Sequence, residues 1–340
     1  MYCKKFAGAV DSDVDVQKAL ESVVLYRIDC EKGEGKDIAK EYAVRGYPTF
    51  ILMNKDGKVI DRWAGYSKEY LLRTLSDAML DLSTIEEKLA QMKIKPELHT
   101  AVSLGRYSSS MDNFKDAVDY YKTAQTLKTD PNADYNSDIF ENTLEGTAKG
   151  SFSNDELKAA ADNAIAAMHD PADIFGISAN MVSYAKQHEL NQTIVEYLQT
   201  GLDATANNND KKIDAMHRTL MVDYCLLVKH DTASAVEYKK GIMPEGWMEN
   251  ADQLNEFAWW CFENNADLKE AETLAHKAVD MAQPGKGKGN ILDTLAEILH
   301  ARGKNAEAIA VYKQAMQEDP GSKHYPAQIE KFQKEMAEKK

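Results

Sequence analysis

The sequence is short of cysteine, of positive charge and of long apolar runs, and each shortage excludes a class of protein. Four cysteines in 340 residues (Cys3, Cys30, Cys225 and Cys261), with no Cys-x-x-Cys among them, are too few for a disulfide framework or a cysteine-rich zinc module. The longest clearly apolar stretch, Tyr47 to Met53, is far short of the roughly 20 residues that a membrane-spanning helix needs. There are 41 Lys+Arg against 55 Asp+Glu, a net charge of −14 that no basic block offsets locally. Such a surface repels phosphate backbones and anionic lipids, so neither nucleic acid nor a membrane surface is expected as the main partner. No charged-then-apolar leader follows Met1, so the sequence as written points to the cytoplasm. The eight histidines show no His-Glu-x-x-His or similar ligand spacing, and no metal or cofactor is expected. Gly285-Lys286-Gly287-Lys288-Gly289 and Gly33-x-Gly35-Lys36 both lack phosphate-loop spacing; the first, after Pro284, reads as a flexible linker.

What is present divides near residue 80. Before it, helix and strand signals alternate. Val16 and Leu20 carry a helical pattern, and Val23-Val24-Leu25-Tyr26-Arg27-Ile28 is a β-branched and aromatic run that predicts a buried strand. Lys36 to Tyr42 predicts a short helix. Thr49–Met53 and Val59–Ala64 predict a hairpin around Asn54-Lys55-Asp56-Gly57, with glycine where a positive φ is cheapest. Ser67 is placed to cap a helix bearing Tyr70, Leu71, Leu75 and Met79 on one face. The order is α-β-α-β-β-α.

Beyond residue 81 strand signals nearly vanish and alanine-rich helical segments follow one another. In the clearest pair, Leu292, Leu295, Ala296 and Leu299 line one helix, Gly303 breaks it, and Ala308, Tyr312 and Ala315 line the next before Pro320. A similar unit (Ala258, Phe262, Ala271, Ala275, Ala278) precedes it, and a third holds Leu104, Gly105, Ala117, Tyr121 and Ala124. Antiparallel helices meeting through small residues are the unit of a helical solenoid. The expected organisation is a first domain over 1–80, a linker helix over 81–97, helical repeats over 98–325 and a solvated helix end over 326–340.

Four segments of the first domain resemble the thioredoxin family, from its active-site helix onward. Cys3-Lys4-Lys5-Phe6 resembles the second half of the Trp-Cys-x-x-Cys-Lys motif, and Tyr26-Arg27-Ile28-Asp29 the strand ending in an acid. Tyr42 to Phe50 resembles the family's Val-Arg-Gly-x-Pro-Thr segment, with Pro48 at the cis-proline position. Asn54 to Lys58, followed by Trp63-Ala64-Gly65-Tyr66, resembles the closing hairpin. The second half resembles tetratricopeptide repeats. Together they resemble bacterial exported thioredoxin-like proteins with a helical-repeat extension, which implies a periplasmic location. The fold class expected is therefore an α/β thioredoxin-like domain followed by an all-α helical-repeat solenoid. The family's central strand precedes its active-site cysteines, so the resemblance implies that this sequence lacks the first strands and starts inside the motif, Met1 being internal.

Thiol–disulfide exchange needs an attacking thiolate and a second thiol to release the mixed disulfide. By the resemblance Cys3 is the resolving cysteine, and Tyr47 and Pro48 contact the substrate backbone. Cys30 is either a substitute partner for Cys3 or an ordinary residue at a strand end, the latter being favoured. Cys225 and Cys261, inside helical patterns, read as buried apolar thiols. Two functions compete. One is a thiol–disulfide oxidoreductase acting on protein disulfides, with repeats that bind a partner protein or peptide, inactive without the upstream cysteine. The other is a non-enzymatic interaction scaffold carrying a redox-dead thioredoxin-like module.

Overall fold

The computed structural model describes residues 2–338. Helices α1 (Tyr2–Ser12) and α2 (Val14–Leu20) open the chain, and between them the Asp13 side chain accepts from the backbone N–H groups of Asp15 and Val16. Helix α3 (Gly35–Glu41), strands β1 (Thr49–Met53) and β2 (Val59–Ala64), and helix α4 (Lys68–Ala78) follow. β1 and β2 pair antiparallel with Phe50 opposite Trp63. The Asn54 side chain accepts from the N–H groups of Asp56 and Lys58, and Gly57 takes φ +75°, so the expected turn chemistry closes the hairpin. Ser67 caps α4 by accepting from the Tyr70 N–H. Phe6 meets Phe50 edge-on at 4.9 Å and Phe50 stacks on Trp63 at 5.4 Å, joining α1 to the hairpin in a small core with Val16, Leu71 and Leu75.

One expected strand does not form. Val23–Ile28 runs without regular structure, Val24 being 97% and Tyr26 81% exposed. Among the described residues the sheet has two strands, and nothing pairs with this run. β-branched composition favours an extended backbone, but a strand exists only when a neighbour supplies its ladder of hydrogen bonds.

Helices α5 (Ile85–Ile94), α6 (Leu98–Ser110), α7 (Phe114–Leu127), α8 (Asn136–Ala148) and α9 (Asn154–Ala167) complete a first compact unit that reaches Met168. Within this unit α5 packs on α6, α6 on α7, α7 on α8 and α8 on α9. The contacts do not thin near residue 80, because buried charges cross that point. Lys88 on α5, 1% exposed, donates to the carbonyls of Ile60, Asp81 and Ser83. Arg106 on α6 meets Asp61 of β2 at 2.8 Å and Asp77 of α4 at 3.3 Å. Residues 81–97 therefore form part of the packed unit, with Ile85 and Lys88 buried.

The second unit starts at His169. It contains α10 (Pro171–Gln187), α11 (Asn191–Thr205), α12 (Lys211–Tyr224), a π turn at Cys225–Lys229, α13 (Thr232–Ile242), a 3-10 turn at Trp247–Glu249, α14 (Ala251–Glu263) and α15 (Leu268–Met281). α16 (Lys286–Ala301), α17 (Asn305–Glu318) and α18 (His324–Glu338) close it. The pairs α10–α11, α12–α13, α14–α15 and α16–α17 pack as hairpins in a solenoid-like arrangement, with Ala258, Ala271, Ala275, Ala278, Ala296, Ala308 and Ala315 wholly buried. Two expectations are corrected here. The glycine–lysine run is the first turn of α16, not a linker: Gly285 leads in at φ +120° and donates its N–H to Glu318, and Gly289 is buried near the Tyr325 hydroxyl. The C-terminal segment is docked rather than a solvated end, since Phe332 is fully buried and stacks on His300 at 3.7 Å. Lys339 and Lys340 lie outside the described residues.

Candidate functional site

Cys3 is an exposed free thiol in the first turn of α1, a helix anchored by Phe6 one turn later. Cys30, also free, follows Asp29 at the end of the irregular run. Burial pushes the Cys30 thiol upward, and the charges of Asp29 and Cys3 add to the effect. The start of α3 passes so close to this corner that a Cβ on Gly35 would lie 2.1 Å from the Asp29 carbonyl oxygen, a crossing that only glycine allows.

The loop before β1 carries the other predicted residues. The Tyr47–Pro48 peptide is cis, and Tyr47 is 51% exposed. Four anchors hold this loop. The buried Arg62 of β2 donates to the carbonyls of Tyr42 and Ala43. Thr49 donates its hydroxyl to the Gly46 carbonyl at 2.8 Å, and the Gly65 N–H donates to the Pro48 carbonyl at 2.9 Å. Arg45 pairs with Asp112 in the turn between α6 and α7, and Lys149 reaches the same carboxylate at 3.0 Å. Burial alone would raise the Asp112 carboxyl, but hydrogen bonds from Arg45 and Lys149 outweigh it and hold the group below its ordinary value. Phe6 touches Phe50, two residues after Pro48, so the Cys3 helix and the loop share one core.

The remaining thiols are structural. Cys225 is 1% exposed and Cys261 is fully buried, with burial pushing the Cys261 thiol up to about 12, far from reactive. Among the described residues no group of three or more His, Cys, Asp or Glu side chains is arranged to hold a metal ion. None of the described helices is long and apolar enough to cross a membrane. Asp112 and Lys149 escaped the sequence reading: they lie 67 and 104 positions from Arg45, with no motif around them.

Residues 1–79 match the family model of a thioredoxin-like domain. The N-terminal part of the chain is thioredoxin-like. Over 70 residues this chain is 34% identical to a thioredoxin H-type of Ricinus communis, covering 21% of this chain and 57% of that protein. Over 61 residues it is 36% identical to thioredoxin H-type 1 of Nicotiana tabacum, covering 18% of this chain and 46% of the relative. A protein disulfide-isomerase of Datisca glomerata is 24% identical over 92 residues, 25% of this chain and 18% of that protein. The chain thus spans about half the length of the two thioredoxins it matches. Among solved structures, the APC/C hetero-tetramer Cut9-Hcn1 aligns over 78% of this chain and 49% of that one, at 11% identity and a TM-score of 0.39.

Proposed function

We propose that the thioredoxin-like domain takes part in thiol–disulfide exchange on protein disulfides, with a partner protein or peptide held by the helical pairs. Cys3 acts as the resolving thiol, and the Tyr47–Pro48 loop receives an extended substrate segment. The observation that carries this reading is the placement of Cys3: exposed in the first turn of a helix that shares its core with the loop. Exchange proceeds by attack of a thiolate on a disulfide, which forms a mixed disulfide and releases one thiolate; a second thiol then breaks it. In that cycle Cys3 supplies the second thiol, and the attacking thiolate comes from a different cysteine. The compartment proposed is the periplasm, and an in-frame export leader in the gene upstream of Met1 tests it.

Incubating the full chain with a disulfide-linked peptide tests the thiol. The expected result is a stable mixed disulfide at Cys3, absent in Cys3→Ser, with no sustained insulin reduction. Absence of the adduct would favour the scaffold reading, in which the domain is redox-dead. Sustained turnover would overturn the resolving role.

A further inference from the structure

Beside the loop that carries Tyr47 and Pro48, two cations from distant parts of the chain share one carboxylate. Arg45, two residues before Tyr47 and 55% exposed at its side chain, donates through Nη1 to Oδ2 of Asp112, in the turn between α6 and α7. Lys149, at the end of α8 and 50% exposed, reaches the same Oδ2 at 3.0 Å. All three residues belong to the first compact unit. One anion therefore serves two cations, and the trio keeps an uncompensated positive charge.

The trio is held from behind. Asp112 sits at φ +61° in a turn closed by its own N–H to the Ser109 carbonyl and by the Asn113 N–H to the Ser108 carbonyl. Lys149 lies 4.8 Å over the ring of Phe114, which is buried at the start of α7. Phe114 packs closely on α8, since a Cβ on Gly146 would lie 3.1 Å from the Phe114 Cβ. On the loop side, Arg45 follows Tyr42 and Ala43, whose carbonyls accept from the buried Arg62. Cations placed in this way lose less freedom when an anion arrives than free surface side chains do. Each spends only part of its donor set on Asp112, and both side chains are open to solvent. The chain as a whole is acidic, at −14, so the pair acts as a local selector and not as part of a general attraction for anions.

We propose that Arg45 and Lys149 form a subsite for an acidic side chain, aspartate or glutamate, of the substrate segment that the Tyr47–Pro48 loop receives. This rests on the reading of that loop as the one that meets substrate. A second carboxylate, entering from the open side, balances the charge that Asp112 leaves over, and the guanidinium offers it donors in a planar fork. Tyr47 is 51% exposed two residues from Arg45, so one short loop both receives the segment and reads its charge. The helical part of the unit does more than hold a partner: α8 supplies one of the two cations, and the α6–α7 turn supplies the carboxylate that keeps them together.

The test is an NMR titration of the full chain with a cysteine-free eight-residue Gly/Ser peptide carrying two glutamates, against the same peptide with glutamine at both positions. Binding is read from the amide signals of Gly46 and Gly150, the chain neighbours of Arg45 and Lys149. The glutamate peptide is expected to bind about threefold to tenfold more tightly than the glutamine peptide at low salt, a preference that shrinks in about 0.5 M sodium chloride. Arg45→Gln and Lys149→Gln are each expected to bring the two affinities to within about twofold of each other. Equal affinity for both peptides, no shift of either signal, or a preference that survives both substitutions in chains of unchanged circular dichroism would overturn the proposal. Neither peptide carries a thiol, so the result does not depend on Cys3. A glutamate preference with no adduct at Cys3 would leave the subsite standing and remove the exchange reading. An adduct formed equally fast by glutamate and glutamine versions of a disulfide-linked peptide would do the reverse.

Discussion

The two compact units solve the same packing problem with different residues. Every charged side chain buried among the described residues (Asp61, Arg62, Lys88 and Arg106) belongs to the first unit; the polar residues buried in the second are uncharged, among them Ser178, Thr205, Thr294, Tyr197 and Tyr312. The second unit stacks helix on helix, and helices satisfy their own backbone, so small alanines suffice at the crossings. In the first unit helices close over a sheet and its connecting loops, whose carbonyls point outward and need donors. Lys88 serves three such carbonyls and Arg62 two. Buried charge appears where secondary structures of different kind meet.

The largest way to break this comparison is Asp61→Ala, which leaves the buried Arg106 with only the more exposed Asp77 as its acidic partner. It should cost about 3–5 kcal/mol in a urea titration, and a loss below about 1 kcal/mol would show that the pair does not hold the unit together. The counterpart in the second unit is Ala275→Leu, where no charge is at stake and overpacking should cost about 1–3 kcal/mol. If it proved neutral, the crossing at Ala275 would not be close-packed.

Asp138→Asn should go the other way. The Asp138 carboxyl has a folded-state value near 6, above its ordinary 3.8. The folded state therefore gains from the protonated form at low pH and loses that gain as pH rises through about 6. At pH about 7.5 the substitution should stabilise the chain by about 1–3 kcal/mol, with little effect near pH 3, so the two denaturation midpoints converge on acidification. Parallel midpoints across that range would refute it. The smallest effect is expected at the entry to α5, where Thr84 and Glu87 form a reciprocal cap. Thr84→Ala should cost about 1 kcal/mol, measured in the same titration, and a much larger loss would mean that the cap also orients Lys88.

Much of this molecule is legible in its sequence. The hairpin at Asn54–Gly57, the Ser67 cap and the alanine-spaced helix pairs all form as their residues indicate, because each depends on groups a few positions away or on a repeated spacing. The Tyr47–Pro48 segment is legible as a motif, but its tether to Asp112 and Lys149 is not, since nothing local marks either residue. Val23–Ile28 has strand composition without a strand, because pairing is a property of two segments. The glycine–lysine run at 285–289 misleads for a similar reason: glycine weakens a helix in isolation, yet Gly289 sits where a Cβ would come within 3.1 Å of the Tyr325 hydroxyl.

By itself the sequence determined the character of each half, an alternating α/β start and an all-helical remainder, because hydrophobic period and turn residues act over short range. Tertiary structure alone decided where the chain divides, which charges are buried, and that Phe332 docks on His300. Those outcomes depend on which surfaces meet. A buried charge or an unpaired extended run is stabilised or left exposed by its neighbours in space, not by its neighbours in the chain.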